Sequence, residues 1–246
     1  MRWRLLAAAI VMTVSGCATA PPTPPAEAPH PFVQIAEPVA SGVTVLRQAQ
    51  ANYAGVVGNV TIIEQSEGVV LVDSGSSYGD GARVAAAVRR LTRKPVTAVI
   101  ITHWHNDHPL GLAAILEVWP EAQIISTEAT RTALENGRTT VPLDPGAEWG
   151  TRRREQLHGY VPQLETQTQD QNLSQQERDG WALALSALVI REGDVAGTRL
   201  VLPTRTFTDR LTLDDRRTPI EVRFEGRANT DGDAIVWLPR QRVLIA

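Results

Sequence analysis

The chain has 246 residues, 43% of them hydrophobic, one cysteine, and a formal net charge of -3 at pH 7. A single thiol excludes an intrachain disulfide and any zinc site built on several thiolates, and the acidic balance argues against nucleic acid or an anionic membrane surface as partner. Beyond an N-terminal stretch of different composition, the remaining length suits one sizeable domain.

Arg2 and Arg4 precede an apolar stretch over residues 5–14, too short to span a bilayer, which is the pattern of a secretory signal over residues 1–16. Val14-Ser15-Gly16-Cys17 resembles a bacterial lipobox. That resemblance implies cleavage before Cys17, lipid attachment to it, and, with Ala18 following, a place on the periplasmic face of the outer membrane. Loss of the signal lowers Lys+Arg from 24 to 22 against 27 Asp+Glu, a net charge of -5. Residues 17–40 carry Pro21, Pro22, Pro24, Pro25, Pro29 and Pro31 with little apolar bulk, so an extended tether is expected there.

The domain expected over residues 41–246 interleaves strands and helices. Strands are predicted at 43–46, 59–64 and 69–72, the last two joined by a turn at Ser66-Glu67-Gly68. An Ala-rich helix at 81–93 sets Val84, Val88 and Leu91 on one face, and a strand at 96–102 follows. Next come a helix at 109–119 opened by Pro109, a strand at 123–126, and a helix at 128–136 capped by Thr127 and closed by Gly137. Residues 143–193 read as a polar, helical insertion. In its second half Ser174-Gln175-Gln176-Glu177 forms a capping box, opening a helix whose Trp181, Leu185, Leu188 and Val189 are expected to pack in the core. Strands at 199–202, 210–213, 220–225, 234–238 and 243–246 complete the pattern.

Three of the five histidines lie in Thr102-His103-Trp104-His105-Asn106-Asp107-His108, directly after the apolar strand. His103 and His105 are two apart, so in extended backbone both imidazoles leave on one side and can converge on one ion. Asp107 and His108 then offer a carboxylate and a third imidazole to an adjacent ion, a mixed set that zinc accepts. Elsewhere only His30 and His158 remain, the first in the Pro-rich tether and the second beside Arg152, Arg153 and Arg154, where a solvated surface residue is expected.

The cluster resembles the metallo-β-lactamase superfamily signature His-x-His-x-Asp-His at a strand end, and the resemblance runs from about Gly42 to the last residue. Val69-Val70-Leu71-Val72-Asp73-Ser74-Gly75 resembles the family's strand ending in Asp-x-Gly, whose aspartate lies near the metal ligands; taken alone, Asp-Ser-Gly is ordinary turn chemistry. Gly226-Arg227-Ala228-Asn229-Thr230-Asp231-Gly232-Asp233 resembles the family's Gly-x-x-His-Thr-x-Gly-Asp, with Asn229 where the family has the histidine that completes its first metal site. An amide oxygen is a harder and weaker donor than imidazole. The sequence ends in Arg242-Val243-Leu244-Ile245-Ala246, where family members continue to a bridging aspartate and a final histidine, so a C-terminally incomplete domain is expected.

The resemblance implies an α/β fold of the four-layer αβ/βα sandwich type and one or two zinc or other divalent ions. It implies a hydrolase in which metal-activated hydroxide, oriented by Asp107, attacks an ester, lactone, thioester, phosphoester or β-lactam-like small molecule. An exported position leans toward β-lactam-like amides by analogy of fold alone. The alternative is a lipid-anchored binding or accessory protein on a degenerate hydrolase scaffold, favoured by Asn229 and opposed by the intact His103, His105, Asp107 and His108.

Overall fold

The computed structural model describes residues 34–48, 57–144 and 148–246, so Cys17, the signal segment and most of the tether lie outside the described residues. Two sheets face each other. The larger has seven strands in the order β1 (Gln34–Ala40), β2 (Val43–Gln48), β3 (Val60–Glu64), β4 (Val69–Val72), β5 (Val96–Ile100), β6 (Gln123–Thr127) and β7 (Arg205–Phe207). The pairings from β1 to β4 are antiparallel and those from β4 to β7 parallel. The smaller sheet is antiparallel, ordered β11 (Val243–Ile245), β10 (Ala234–Leu238), β9 (Ile220–Phe224), β8 (Arg210–Leu213).

Central strands of the large sheet are apolar on both faces because both are covered. Leu71, Val99 and Ile124 point toward Val84, Val88, Leu112 and Ile115 of helices α1 (Tyr78–Leu91) and α2 (Leu112–Val118). Val70, Val72, Ile100 and Ile125 point the other way, into a second core with Ile220, Val222, Val236 and Leu238 of the small sheet. In β9, by contrast, inward Ile220 and Val222 alternate with Glu221 and Arg223, the period-2 pattern of a strand with one wet face. Two sheets with outer helices agree with the sandwich expected from the sequence.

Several boundaries differ from the sequence reading. Gln34–Ala40, assigned to the tether, is instead edge strand β1 paired with β2, and Pro38 is tolerated there because an edge strand leaves one row of amides without a ladder partner. The segment 199–202 is not a strand. Pro203 has no N–H to give, and pairing on β6 begins only when the Thr204 amide donates to the Ile124 carbonyl at 2.8 Å. Pro109 does not open α2, since the Gly111 amide donates to the Gly75 carbonyl at 3.2 Å and the helix starts one residue later. Gly111 is required at that crossing: a Cβ there would sit 2.0 Å from the Ser74 carbonyl oxygen. Helix α1 starts at Tyr78, earlier than expected, because Ser77 caps it by accepting from the Asp80 amide.

Helix α3 (Glu128–Glu135) is capped by Thr127 as its sequence suggests, with Gly137 at φ +71 beyond its end. The insertion forms α4 (Trp149–His158), α5 (Val161–Gln169) and α6 (Gln175–Asp194), the last opening with the anticipated capping box. Its apolar stripe is not core, however. Val189 is 55% exposed, and only Gly180 and Ala187 of α6 are buried. With little of its apolar surface buried, α6 is tied down by polar contacts near its C-terminal end, where Arg83 of α1 bonds Asp194 at 2.7 Å.

Asp215, in the β8–β9 connection, joins the two sheets at one end by accepting from the amides of Ser66 (2.9 Å), Arg217 (2.8 Å) and Thr218 (2.7 Å). Desolvation pushes its pKa up, but these amides outweigh it and hold the carboxyl at about 2. A depressed folded pKa contributes stability above the unfolded value of about 3.9, lost as pH falls through the folded one. Asp215→Asn should therefore cost about 1 kcal/mol at pH 7, after discounting for solvent screening. That difference should shrink in melts taken from about pH 5 down to about pH 2; a constant difference across pH would remove the ionic account.

Candidate metal centre

Strands β4 and β5 run parallel, so both release their C-terminal ends on one edge, the position where α/β sheets place ligands. Asp73 leaves β4 in the left-handed region at φ 65, buried at 4% exposure. Its carboxylate accepts from the Thr102 amide (Oδ1, 2.9 Å) and the Thr102 hydroxyl (Oδ2, 2.9 Å), and contacts His108 Nδ1 at 2.8 Å. The His108 carbonyl accepts from the amide and the hydroxyl of Ser74 at 2.8 and 2.6 Å. The loop carrying the histidines is thus stitched to the end of β4 at both of its ends, Thr102 and His108.

These contacts fix the tautomers. His108 Nδ1–H donates to Asp73, which in the neutral ring leaves Nε2 bare, 3.5 Å from Asp107 Oδ2. The Thr102 hydroxyl gives its one proton to Asp73, so toward His103 Nδ1, at 3.0 Å, it accepts, and His103 Nε2 is left bare in turn. That nitrogen lies 3.2 Å from His105 Nδ1. Burial, followed by the neighbouring His108, lowers the pKa of His103 and favours the neutral ring that a metal needs. For His108 burial pushes the same way, but the Asp73 hydrogen bond and charge outweigh it and raise the pKa.

Asn229 arrives from the opposite sheet. The Ala234 amide donates to the Thr102 carbonyl at 2.8 Å, bringing the start of β10 to the histidine loop, while Asp233 accepts from the Thr230 amide and hydroxyl at 2.7 and 3.0 Å. The Asn229 side-chain amide then lies 3.2 Å from both His103 Nε2 and His105 Nδ1. Turning the amide over would place its oxygen at the same point.

The sequence-selected residues therefore gather into two groups: His103, His105 and Asn229 in one, Asp107 and His108 in the other, with Asp73 behind them. Among the described residues no three His, Cys, Asp or Glu side chains converge on one point. The donors fit a divalent ion taking nitrogen and oxygen ligands, because ring nitrogens of His103 and His105 face each other beside the Asn229 amide, and the His108 Nε2 faces the Asp107 carboxylate. His158 stays apart, 69% exposed on α4 and 3.2 Å from Glu192. Sequence reasoning passed over Thr102, the relay between both histidines and Asp73, and Asp233, whose Oδ1 lies 4.0 Å from His103 Nδ1. Position was the available signal for Thr102, the last residue before the motif.

Comparison with known proteins places this chain in a family. A linear primary-alkylsulfatase from Pseudomonas sp. (strain ATCC 19151) is 31% identical over 190 residues, 75% of this chain, and the chain spans 32% of that relative's length. A metallo-beta-lactamase from Pontibacter korlensis superposes with a TM-score of 0.55 at 17% identity, over 86% of this chain and 69% of that one. The DIM-1 metallo-beta-lactamase gives a TM-score of 0.51 at 15% identity, over 86% and 67%. At such identities the two structures speak for the fold alone. The sequence model of the metallo-beta-lactamase superfamily matches residues 53–246, and with the sandwich and the histidine loop where they are, this chain belongs to that superfamily.

Proposed function

We propose that the chain is a metal-dependent hydrolase that cleaves an ester-type bond in a small molecule, with zinc as the ion that suits its donors. The observation that carries the reading is the orientation of His103 and His108, whose Nδ1 atoms are engaged through contacts that end on Asp73 and whose Nε2 atoms face the other donors. His103, His105 and Asn229 would hold one ion, and Asp107 and His108 a second. When bound, such an ion supplies Lewis acidity and lowers the pKa of water to about 7. Asp107 Oδ2 is the carboxylate oxygen beside His108, placed to accept the proton of an attacking water. As the water oxygen bonds to the electrophilic centre, the ester oxygen leaves with the bonding pair and takes up a proton.

Ester, lactone, thioester and β-lactam-like substrates all suit that chemistry. The alkylsulfatase relative supports the ester side and adds sulfate esters to it, whereas support for β-lactams rests on fold likeness alone. The test is metal analysis of the purified protein with turnover of octyl sulfate, a nitrophenyl ester, a lactone and a chromogenic cephalosporin. Bound zinc and ester turnover, both lost in His103→Ala, are expected. A metal-free protein inert on every substrate would favour instead the binding protein to which Asn229 points.

We also propose that Cys17 carries lipid and holds the domain at the periplasmic face of the outer membrane. None of the described helices is long and apolar enough to cross a membrane. Cys17→Ser should shift the protein from the detergent-extracted fraction to the soluble periplasm with an unchanged melting temperature. A variant that stays with the membrane refutes the anchor.

A further inference from the structure

The helical insertion contributes nothing to the donor cluster, yet it closes one side of a cavity of about 370 Å³ whose other side is the histidine loop. Asn106, Asp107 and Leu110 come from that loop. Trp149, Arg153 and Leu157 come from α4, spaced four apart on one helix face, and line the cavity together. The volume is that of a small-molecule site. The wall is built rather than incidental, because Trp149 packs on a cluster with Leu110, Leu134, Val141 and Leu200. On a face otherwise apolar, Arg153 is the exception.

Charge in the lining decides what the cavity takes. Two guanidiniums reach it, Arg153 and Arg191. Arg191 donates to Ser76 Oγ at 2.9 Å, and that hydroxyl donates to Asp80 at 2.6 Å. Asp80 and Asp194 each lie 2.7 Å from Arg83, so two carboxylates answer the two guanidiniums Arg83 and Arg191 and the group is balanced. Arg153 has a neutral partner, bonding Gln156 Oε1 at 2.7 Å, and pairs with no carboxylate among the described residues. The other formal charge in the lining is Asp107, one of the proposed metal donors.

We infer that this cavity binds small anionic amphiphiles, the apolar body against Trp149, Leu157 and Val141 and the negative head on Arg153, which makes Arg153 the specificity-determining residue. This rests on the reading of the Asp107 face as the substrate side of the metal centre. A charge-assisted contact to a guanidinium is among the stronger polar contacts, while the apolar wall is indifferent to the head group. Selectivity for an anion therefore falls to Arg153, the guanidinium of the described lining that no carboxylate answers.

The test is calorimetric binding of octanesulfonate, which has no ester to cleave, to the full-length protein as purified, alongside octanol and octyltrimethylammonium. Octanesulfonate should bind best, Arg153→Gln should weaken it about tenfold without affecting octanol, and Arg153→Lys should retain most of the affinity. Leu157→Gln should weaken octanesulfonate and octanol together. Arg153 lies on the partly exposed face of a surface helix, and circular dichroism will report whether each variant folds. Equal binding of the cationic amphiphile, or octanesulfonate affinity unchanged in Arg153→Gln, would overturn the inference. Because no turnover is needed, the readings fail separately. Charge-selective binding without turnover on any substrate would sink only the hydrolase, and ester turnover with binding indifferent to Arg153 would sink only the cavity's selectivity.

Discussion

Asp73→Asn should weaken zinc binding about 10- to 100-fold while leaving the fold nearly as stable. Asparagine is among the residues that tolerate the left-handed backbone found at this position, φ 65, and its carbonyl oxygen can still accept from the Thr102 amide. Its NH2 then stands where Oδ2 met His108 Nδ1 and the Thr102 hydroxyl. A donor there reverses the histidine tautomer, putting the proton on Nε2, the nitrogen that faces Asp107. Asp73→Ala should instead destabilise by about 3–5 kcal/mol, since it adds left-handed strain and leaves the buried Thr102 amide without its acceptor. Chelator competition reads the first effect and urea unfolding the second. Unchanged zinc affinity in Asp73→Asn would mean that the aspartate is only a turn residue.

How that aspartate works was half legible in the sequence. The run 69–72 is apolar without alternation, as befits β4 between two covered faces, and Asp-Ser-Gly marks its end as a turn. What a string of residues cannot show is that β4 and β5 are parallel neighbours, which brings Asp73 against Thr102 across 29 positions. The histidine pair was plainer, because its spacing is local: the two rings approach to 3.2 Å although strand β5 ends at Ile100 and the chain bends at residues 104–105. Asn229 stood out through the family pattern, and its place is set by the opposite sheet. The insertion was the least legible part. Its apolar residues in α6 suggested a core helix, but the Arg83–Asp194 bond that ties it down spans 111 positions and leaves no periodic trace. Trp149, Arg153 and Leu157 do show helical spacing, yet the same spacing serves a surface helix and a cavity wall equally. Pro203 was the overlooked signal at the false strand 199–202, since a residue without an amide proton argues against a central strand.

Asn229→His should raise zinc affinity on the order of 10- to 100-fold, the range by which ligand-shell changes shift metal sites. The amide lies 3.2 Å from His103 Nε2 and 3.2 Å from His105 Nδ1, so an imidazole there becomes the third nitrogen of one group. Residue 229 is exposed and offers room for the larger ring, whereas Thr230 and Asp233 hold the loop from within and are untouched by the exchange. If the three side chains serve a single ion, their contributions cannot add. His103→Ala in the Asn229→His background should remove most of the gain, a coupling of about 1–3 kcal/mol in the double-mutant cycle. Turnover can move in either direction, because a third imidazole occupies a position that an amide concedes more readily to water or substrate. Affinity measured by competition with a chromogenic chelator is therefore the deciding observable. Additive effects of the two substitutions would place residue 229 on a different ion from His103 and dissolve the three-residue group.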